Sequence, residues 1–253
     1  MKPSAWLTSI VVAAFFISAC DRTAPSPPAP HSNTPPKKFG PTGSTAGPTP
    51  PSDVLKNHPA NKLAGQNDSS GVVVWVYKDG DLYVLFGKEW LDPAHPTGSA
   101  GKWNFMRGKV GPGQTYIKTA HDELEEETAG YYKPSLEDLA KAPYSTFAKG
   151  HPFNNLAYTF FFEVANYVDE NLMIQENNQR RANGMHSKYS EMTDYQWVKM
   201  DVLIGALQHH HRFLTAVASP THQTPLMEIY DYSFTLLRNA LPELQAIAAT
   251  WYH

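Results

Sequence analysis

Cysteine is almost missing from this chain: Cys20 is the only one in 253 residues. No disulfide can form within the chain, so cysteine usage by itself says nothing of an oxidising compartment. An excess of one charge is missing too. A formal net charge of −3 gives no reason to expect general attraction to nucleic acid. Trp6 to Ile17 is apolar and uncharged, but it is too short for a membrane-spanning helix of ~20 residues. No internal repeat is evident.

What is present divides the chain into three. Lys2 supplies a positive start, the run Trp6 to Ile17 follows, and small Ser18 and Ala19 precede Cys20. That order is the order of an export signal. Ile17-Ser18-Ala19-Cys20 resembles a bacterial lipobox, which implies a signal peptide over 1–19 and lipid on Cys20. Two or more acyl chains anchor a protein stably where one does not. The expected location is therefore the bacterial cell envelope, lipid-anchored on the periplasmic or cell-surface side. An uncleaved membrane anchor or a chance pattern is the alternative. Residues 20–60 are rich in proline (Pro25, Pro27, Pro28, Pro30, Pro35, Pro36, Pro41, Pro48, Pro50, Pro51) mixed with Ser, Thr, Gly and Ala. Such a stretch buries too little apolar area to fold and reads as a semi-extended tether. Residues 61–253, about 190, suffice for one domain with a full core.

Within that domain, Gly71 to Tyr77 is a β-branched and aromatic run, Lys78 to Asp81 carries a turn signal, and Leu82 to Gly87 is a second run. Together they predict a β-hairpin. Trp103 to Met106 is a short strand. Gln114 to Thr128 lacks Gly and Pro and places Ile117, Ala120 and Leu124 at helical spacing, with Gly130 as a stop. Leu136 to Ala140 reads as a helical turn, Leu156 to Val164 as a central strand and Tyr195 to Val198 as another. Val202 to Val217 and Tyr230 to Ala249 read as helices, the second kinked or restarted at Pro242. The polar stretch 175–194, with Arg180 and Arg181, reads as a loop. The sum is an α+β or α/β domain, a mixed sheet flanked by helices.

The chemistry sits in Gly108 to Gly130. Glu123, Glu126 and Glu127 are spaced i, i+3, i+4 and share one helix face. Asp122 and Glu125 add charge, and Lys118 and His121 are the only basic groups nearby. Like charges at this spacing destabilise a helix, and this far along it they gain little from the dipole. A divalent cation with oxygen ligands would compensate. For a bare glutamate run, a solvated acidic face is the competing explanation.

The context favours the cation. Gly108, then Glu123-Leu124, Glu126-Glu127 and Thr128, with Trp103-Asn104-Phe105 ahead, resemble the box of Nudix hydrolases. The likeness extends over roughly 71–205. It implies a Nudix-type α/β/α sandwich with the box as a loop–helix–loop. It also implies Mg²⁺ or Mn²⁺ held by Glu123, Glu126 and Glu127, and hydrolysis of a nucleotide-like diphosphate with Glu123 and Glu127 in catalytic roles. The general base of the family often comes from a variable loop rather than from the box. Glu191 is the candidate, with Asp194 and Glu176 as weaker competitors. Arg107, Gly108 and Lys109 would bind substrate, since basic groups beside a phosphate path make electrostatic sense. The run Trp103 to Lys109 leans towards dinucleoside polyphosphate, cap-like or ADP-ribose-like substrates.

Three positions depart from the family pattern: Gln114 stands for Glu, Asp122 for Arg and Ala129 for Gly. Asp122 turns an expected attraction into a repulsion. Gly130 could end the helix one residue late. These departures keep open a non-catalytic Nudix-fold module that binds a nucleotide or partner protein at the membrane. A third alternative is an unrelated lipoprotein with an acidic helix and no mixed sheet. His209-His210-His211 is read as a polar helix surface or helix break, because adjacent helix residues point in different directions.

Overall fold

Alternation along the first long strand decides the architecture. In β1 (Ser69–Lys78), Val72, Val74 and Val76 pack into one core while Val73 and Trp75 pack into another. In β2 (Asp81–Glu89), Tyr83 and Leu85 join the first core and Leu82, Val84 and Phe86 the second. Side chains of a strand alternate between faces, so this sheet is covered on both sides. That is why its strands read as continuous apolar runs. The computed structural model describes residues 52–65, 67–91, 97–150, 155–184, 191–218 and 223–251. Cys20, the signal segment and the tether up to residue 51 lie outside them.

The sheet has seven strands: β1, β2, β3 (Trp103–Asn104), β4 (Met106–Lys109), β5 (Tyr144–Gly150), β6 (Asn155–Glu163) and β7 (Met192–Lys199). β1 pairs in parallel with β6 and antiparallel with β2 and β4. The sheet is therefore mixed, and β6 is internal, as its apolar sequence predicts. β2 pairs with β1 over Trp75–Lys78, and β4 takes over along Ser69–Val72. Further on, at Gly87 and Lys88, β2 pairs with β3 instead, while β7 pairs with β2 along Tyr83–Glu89. The site lies where β2 leaves β1.

The close approach of β4 to β1 needs Gly71. A Cβ there would sit 2.3 Å from Arg107 Cβ and 2.4 Å from the Met106 carbonyl oxygen. Gly71→Ala is expected to cost about 2 kcal/mol by forcing the two strands apart, read as a lowered midpoint in denaturant unfolding.

On one face lie α2 (Tyr116–Glu127) and α4 (Glu170–Ala182). Ile117, Ala120 and Leu124 of α2 are fully buried, as their spacing predicts. Burial of Ile117 and Leu124 contributes roughly 2 kcal/mol each. On the other face lie α5 (Met200–Gln208), α6 (Asp231–Asn239) and α7 (Leu241–Trp251). Leu203, Leu207, Leu237, Leu244 and Ile247 fill that core. The short α3 (Leu136–Ala140) carries a capping box between Ser135 and Asp138. The C-terminal helix restarts at Pro242, which occupies the second position of α7, where a missing N–H costs little.

Three expectations change. Val202 to Val217 is not one helix. α5 ends at Gln208, His210 takes a left-handed φ of 59°, and His211 N–H donates to the Ala206 carbonyl at 2.8 Å. This closes the helix with a Schellman turn, so the three histidines are the helix break. Phe213–Ala218 then forms β8, antiparallel to β9 (Gln223–Glu228). The stretch 175–194 is not all loop, because α4 runs to Ala182. Asp169 caps α4, Glu170 lies in its first turn and Arg180 and Arg181 in its last; these charges suit the helix dipole. Finally, ordered structure begins before residue 61: Ser52 caps α1 (Asp53–Asn57), and Leu55 and Ala60 are buried in the first core. Among the described residues no helix is long and apolar enough to cross a membrane.

Candidate active site

α2 lies across β4 and brings its last two turns against Arg107 and Gly108. Thr115 starts the helix by accepting from Lys118 N–H at 3.3 Å. Glu127, 2% exposed, accepts from the Arg107 backbone N–H at 2.6 Å. The Tyr195 hydroxyl donates to the Glu127 backbone carbonyl at 2.7 Å, so β7 fixes the same residue from the other side. Glu123, one turn earlier, lies directly over Gly108: a Cβ there would meet its carboxylate oxygen at 2.0 Å. Here the glycine is needed for space. Glu126 is half-buried on the same helix.

Burial pushes the Glu127 carboxyl well above its ordinary range, and the negative charges of Glu123, Glu89 and Glu191 push it further; the bond from Arg107 opposes them. Glu191 thus belongs to the same electrostatic group as the helix carboxylates. It is exposed, and its carbonyl accepts from Trp90 N–H at 2.7 Å beside the end of β2. Glu89 is a member of this group that the sequence does not reveal. It ends β2, and its carboxylate accepts from the Asn104 side-chain amide. Asn104 is itself held by Ser233 Oγ, which donates to its Oδ1 at 2.7 Å. Nothing in the local pattern marks Glu89 as special, since a glutamate ending a strand is ordinary. Only the return of α6 to β3 singles it out.

Two other candidates have partners of their own. Glu176 pairs with Arg180 at 3.1 Å. Asp194 accepts from its neighbour's N–H at 2.9 Å. Among the described residues no group of three or more His, Cys, Asp or Glu side chains is drawn together tightly enough to hold a metal ion.

A profile of the NUDIX domain family matches residues 68–217, more than half of the chain. The chain belongs to the NUDIX family. Solved structures with a similar fold include an Ap4A hydrolase of C. elegans in a binary complex, at 15% identity over 73% of this chain and 98% of that one, with a TM-score of 0.42. Another is a bifunctional NMN adenylyltransferase/ADP ribose pyrophosphatase from Francisella tularensis, complexed with AMP and a Mn ion. It is 15% identical over 72% of this chain and 43% of that one, with a TM-score of 0.43. The NUDIX domain of Shewanella oneidensis NrtR, complexed with ADP ribose, is 14% identical over 75% and 96%, with a TM-score of 0.40. A comparison with curated proteins gives no match.

The three departures from the Nudix box now have local explanations. Gln114 Oε1 accepts from Gly111 N–H at 3.0 Å and from Thr119 Oγ1 at 3.2 Å. It pins the loop that leads into α2 through an oxygen a glutamate would also offer. Asp122 does not add an unrelieved charge. Burial opposes its ionisation, but hydrogen bonds from Lys118 and His121 outweigh that and hold its carboxyl below the usual range.

Ala129 takes the left-handed conformation itself, with φ 54°. Gly130 N–H donates to the Glu125 carbonyl at 2.8 Å and Ala129 N–H to the Glu126 carbonyl at 3.3 Å. This is a Schellman ending in the register the box requires, not the later ending that Gly130 suggests. Arg180 donates to the Ala129 carbonyl at 2.8 Å and secures the turn. Arg181 donates to the Met192 carbonyl at 2.9 Å, so both arginines brace the scaffold. Relieving the left-handed alanine should help: Ala129→Gly is expected to stabilise the protein by about 1 kcal/mol. That is a rise of about 3 °C in thermal midpoint, measurable by calorimetry.

Proposed function

We propose that this protein hydrolyses a diphosphate bond in a compound where a nucleoside diphosphate is linked to another moiety, with Mg²⁺ or Mn²⁺. Membership of the NUDIX family supports the reaction class. The observation that carries it is Glu127, a carboxylate shut into the core edge among three other carboxylates. Burying an acid among like charges costs stability, and a divalent cation would compensate. The donors suit a hard cation by chemistry, being carboxylate oxygens only, and would have to draw closer to share one ion. Glu123, Glu126 and Glu127 would hold it. When bound, such an ion neutralises diphosphate charge and acidifies a water.

The chain's own groups do the rest. Arg107 N–H orients Glu127, Gly108 leaves room for Glu123, and Glu191 stands at the exposed side of the group as general base. Water adds to one phosphorus, the bridging P–O bond breaks, and Glu191 takes the water's proton. Glu89, held by Asn104, adds negative charge to the same group. Dinucleoside polyphosphates, cap-like and ADP-ribose-like compounds are the substrates proposed. In the same proposal Cys20 carries lipid and keeps the enzyme on the cell envelope.

One observation favours a binding module instead. The arginine of the box is absent from α2, and the nearby Lys118 is committed to Asp122. Turnover of ADP-ribose, diadenosine polyphosphates and nucleoside triphosphates, with and without Mg²⁺ or Mn²⁺, separates the two. Cation-dependent cleavage of at least one compound is expected. Tight binding with no cleavage under any condition would establish the module.

A further inference from the structure

A second feature of β4 lies on its other face. Successive side chains of a strand point to opposite sides, so Arg107 and Lys109 project away from the face where Gly108 meets Glu123. They line a cavity of about 430 Å³ together with Asn67, Ser69, Asn155, Tyr230 and Tyr232. The size suits a small ligand. Among the described residues the lining is two cations, two amides and three hydroxyls, with no carboxylate.

The cations are held ready. The Arg107 guanidinium stacks on Tyr232, its carbon 4.3 Å from the ring centroid. Tyr232 is 4% exposed, and its hydroxyl lies 3.0 Å from Ser69 Oγ. The ring is thus clamped between β1 and α6. Tyr230 is placed by its N–H, which donates to the Trp103 carbonyl at 3.0 Å. Burial opposes the charge on the Arg107 guanidinium, while Tyr232 and the carboxylates of Glu127 and Glu89 favour it. A stacked guanidinium has a fixed fork of donors that matches phosphate oxygens. Both tyrosines lie beyond residue 217, outside the NUDIX match.

We propose that this cavity binds a phosphate group of the substrate that is not the one cleaved, received by Arg107 and Lys109, with Tyr232 as the positioning residue for Arg107. The proposal rests on the hydrolase reading only for what that phosphate is attached to. It selects substrates with a phosphate beyond the scissile diphosphate, such as a longer polyphosphate or a phosphorylated sugar. It also explains why the C-terminal segment returns to the site.

The test is binding of inorganic phosphate to the full chain in EDTA, followed by phosphorus NMR line broadening. EDTA removes any contribution from a cation on α2. Saturable binding is expected. Arg107→Gln should weaken it at least about 10-fold. Lys109→Ala, at an exposed position that folding does not depend on, should weaken it about 3-fold. Tyr232→Phe keeps the ring under the guanidinium and should stay within about 2-fold, whereas Tyr232→Leu with an unchanged thermal midpoint should lose about 5-fold. If Tyr232→Leu does not fold, Lys109→Ala and Arg107→Gln still decide. No saturable binding, or binding indifferent to both of these, overturns the proposal. Phosphate binding by a protein without turnover would sink the hydrolase reading and leave this one standing. Turnover without phosphate binding would do the reverse.

Discussion

Glu127→Gln should lower cation-dependent turnover by at least about 100-fold while raising the thermal midpoint measured in EDTA. Removing groups that merely support a metal ligand costs 10- to 100-fold in other systems, so roughly 100-fold is a floor for losing a ligand itself. The rise in stability has a separate cause. Glu127 is buried and surrounded by the charges of Glu123, Glu89 and Glu191. A glutamine has nearly the same shape, keeps an oxygen for the Arg107 N–H and carries no charge to desolvate. Opposite movement of activity and stability is the mark of a residue kept for function. A midpoint that falls together with activity would mean that Glu127 is simply structural, and the catalytic assignment would be lost.

Gly108→Ala tests geometry without changing charge. The methyl group would occupy the space of the Glu123 carboxylate, 2.0 Å from one oxygen. That carboxylate is the far end of a flexible side chain, so it can swing away at little cost to folding. It cannot swing away and also play the part proposed for it. Displacing a catalytic group by about 1 Å can cost on the order of 100-fold in rate. Turnover should fall by that order, with a thermal midpoint within about 3 °C of the parent, equivalent to about 1 kcal/mol. Gly71→Ala gives the contrasting case. Its methyl group would meet backbone atoms of Met106 and Arg107, which cannot swing aside, so the damage is to stability.

α2 was legible because it is amphipathic and uninterrupted: Ile117, Ala120 and Leu124 mark its buried face, and Thr115 its start. β1, β2 and β6 were legible for a related reason, since strands covered on both faces are apolar throughout. The stretches that misled are those in which local pattern and long-range pairing disagree. Residues 213–217 continue an apolar rhythm that suits a helix, but pairing with 224–228 makes them a strand. α4 is polar nearly all round: its buried residues Glu170, Met173 and Asn177 have helical spacing, but two of the three are polar, so no apolar rhythm reveals it.

The sequence alone determined which carboxylates share one face of α2, how they are spaced and what lies on either side of them, because helix geometry turns a spacing of three and four into one face. Tertiary structure alone decided which of them is buried, that Glu89 and Glu191 join the group, and that Tyr232 reaches back to hold Arg107. Those contacts join residues far apart in the chain. Their energies depend on burial and on the distance between charges, and both come into being only when the sheet closes.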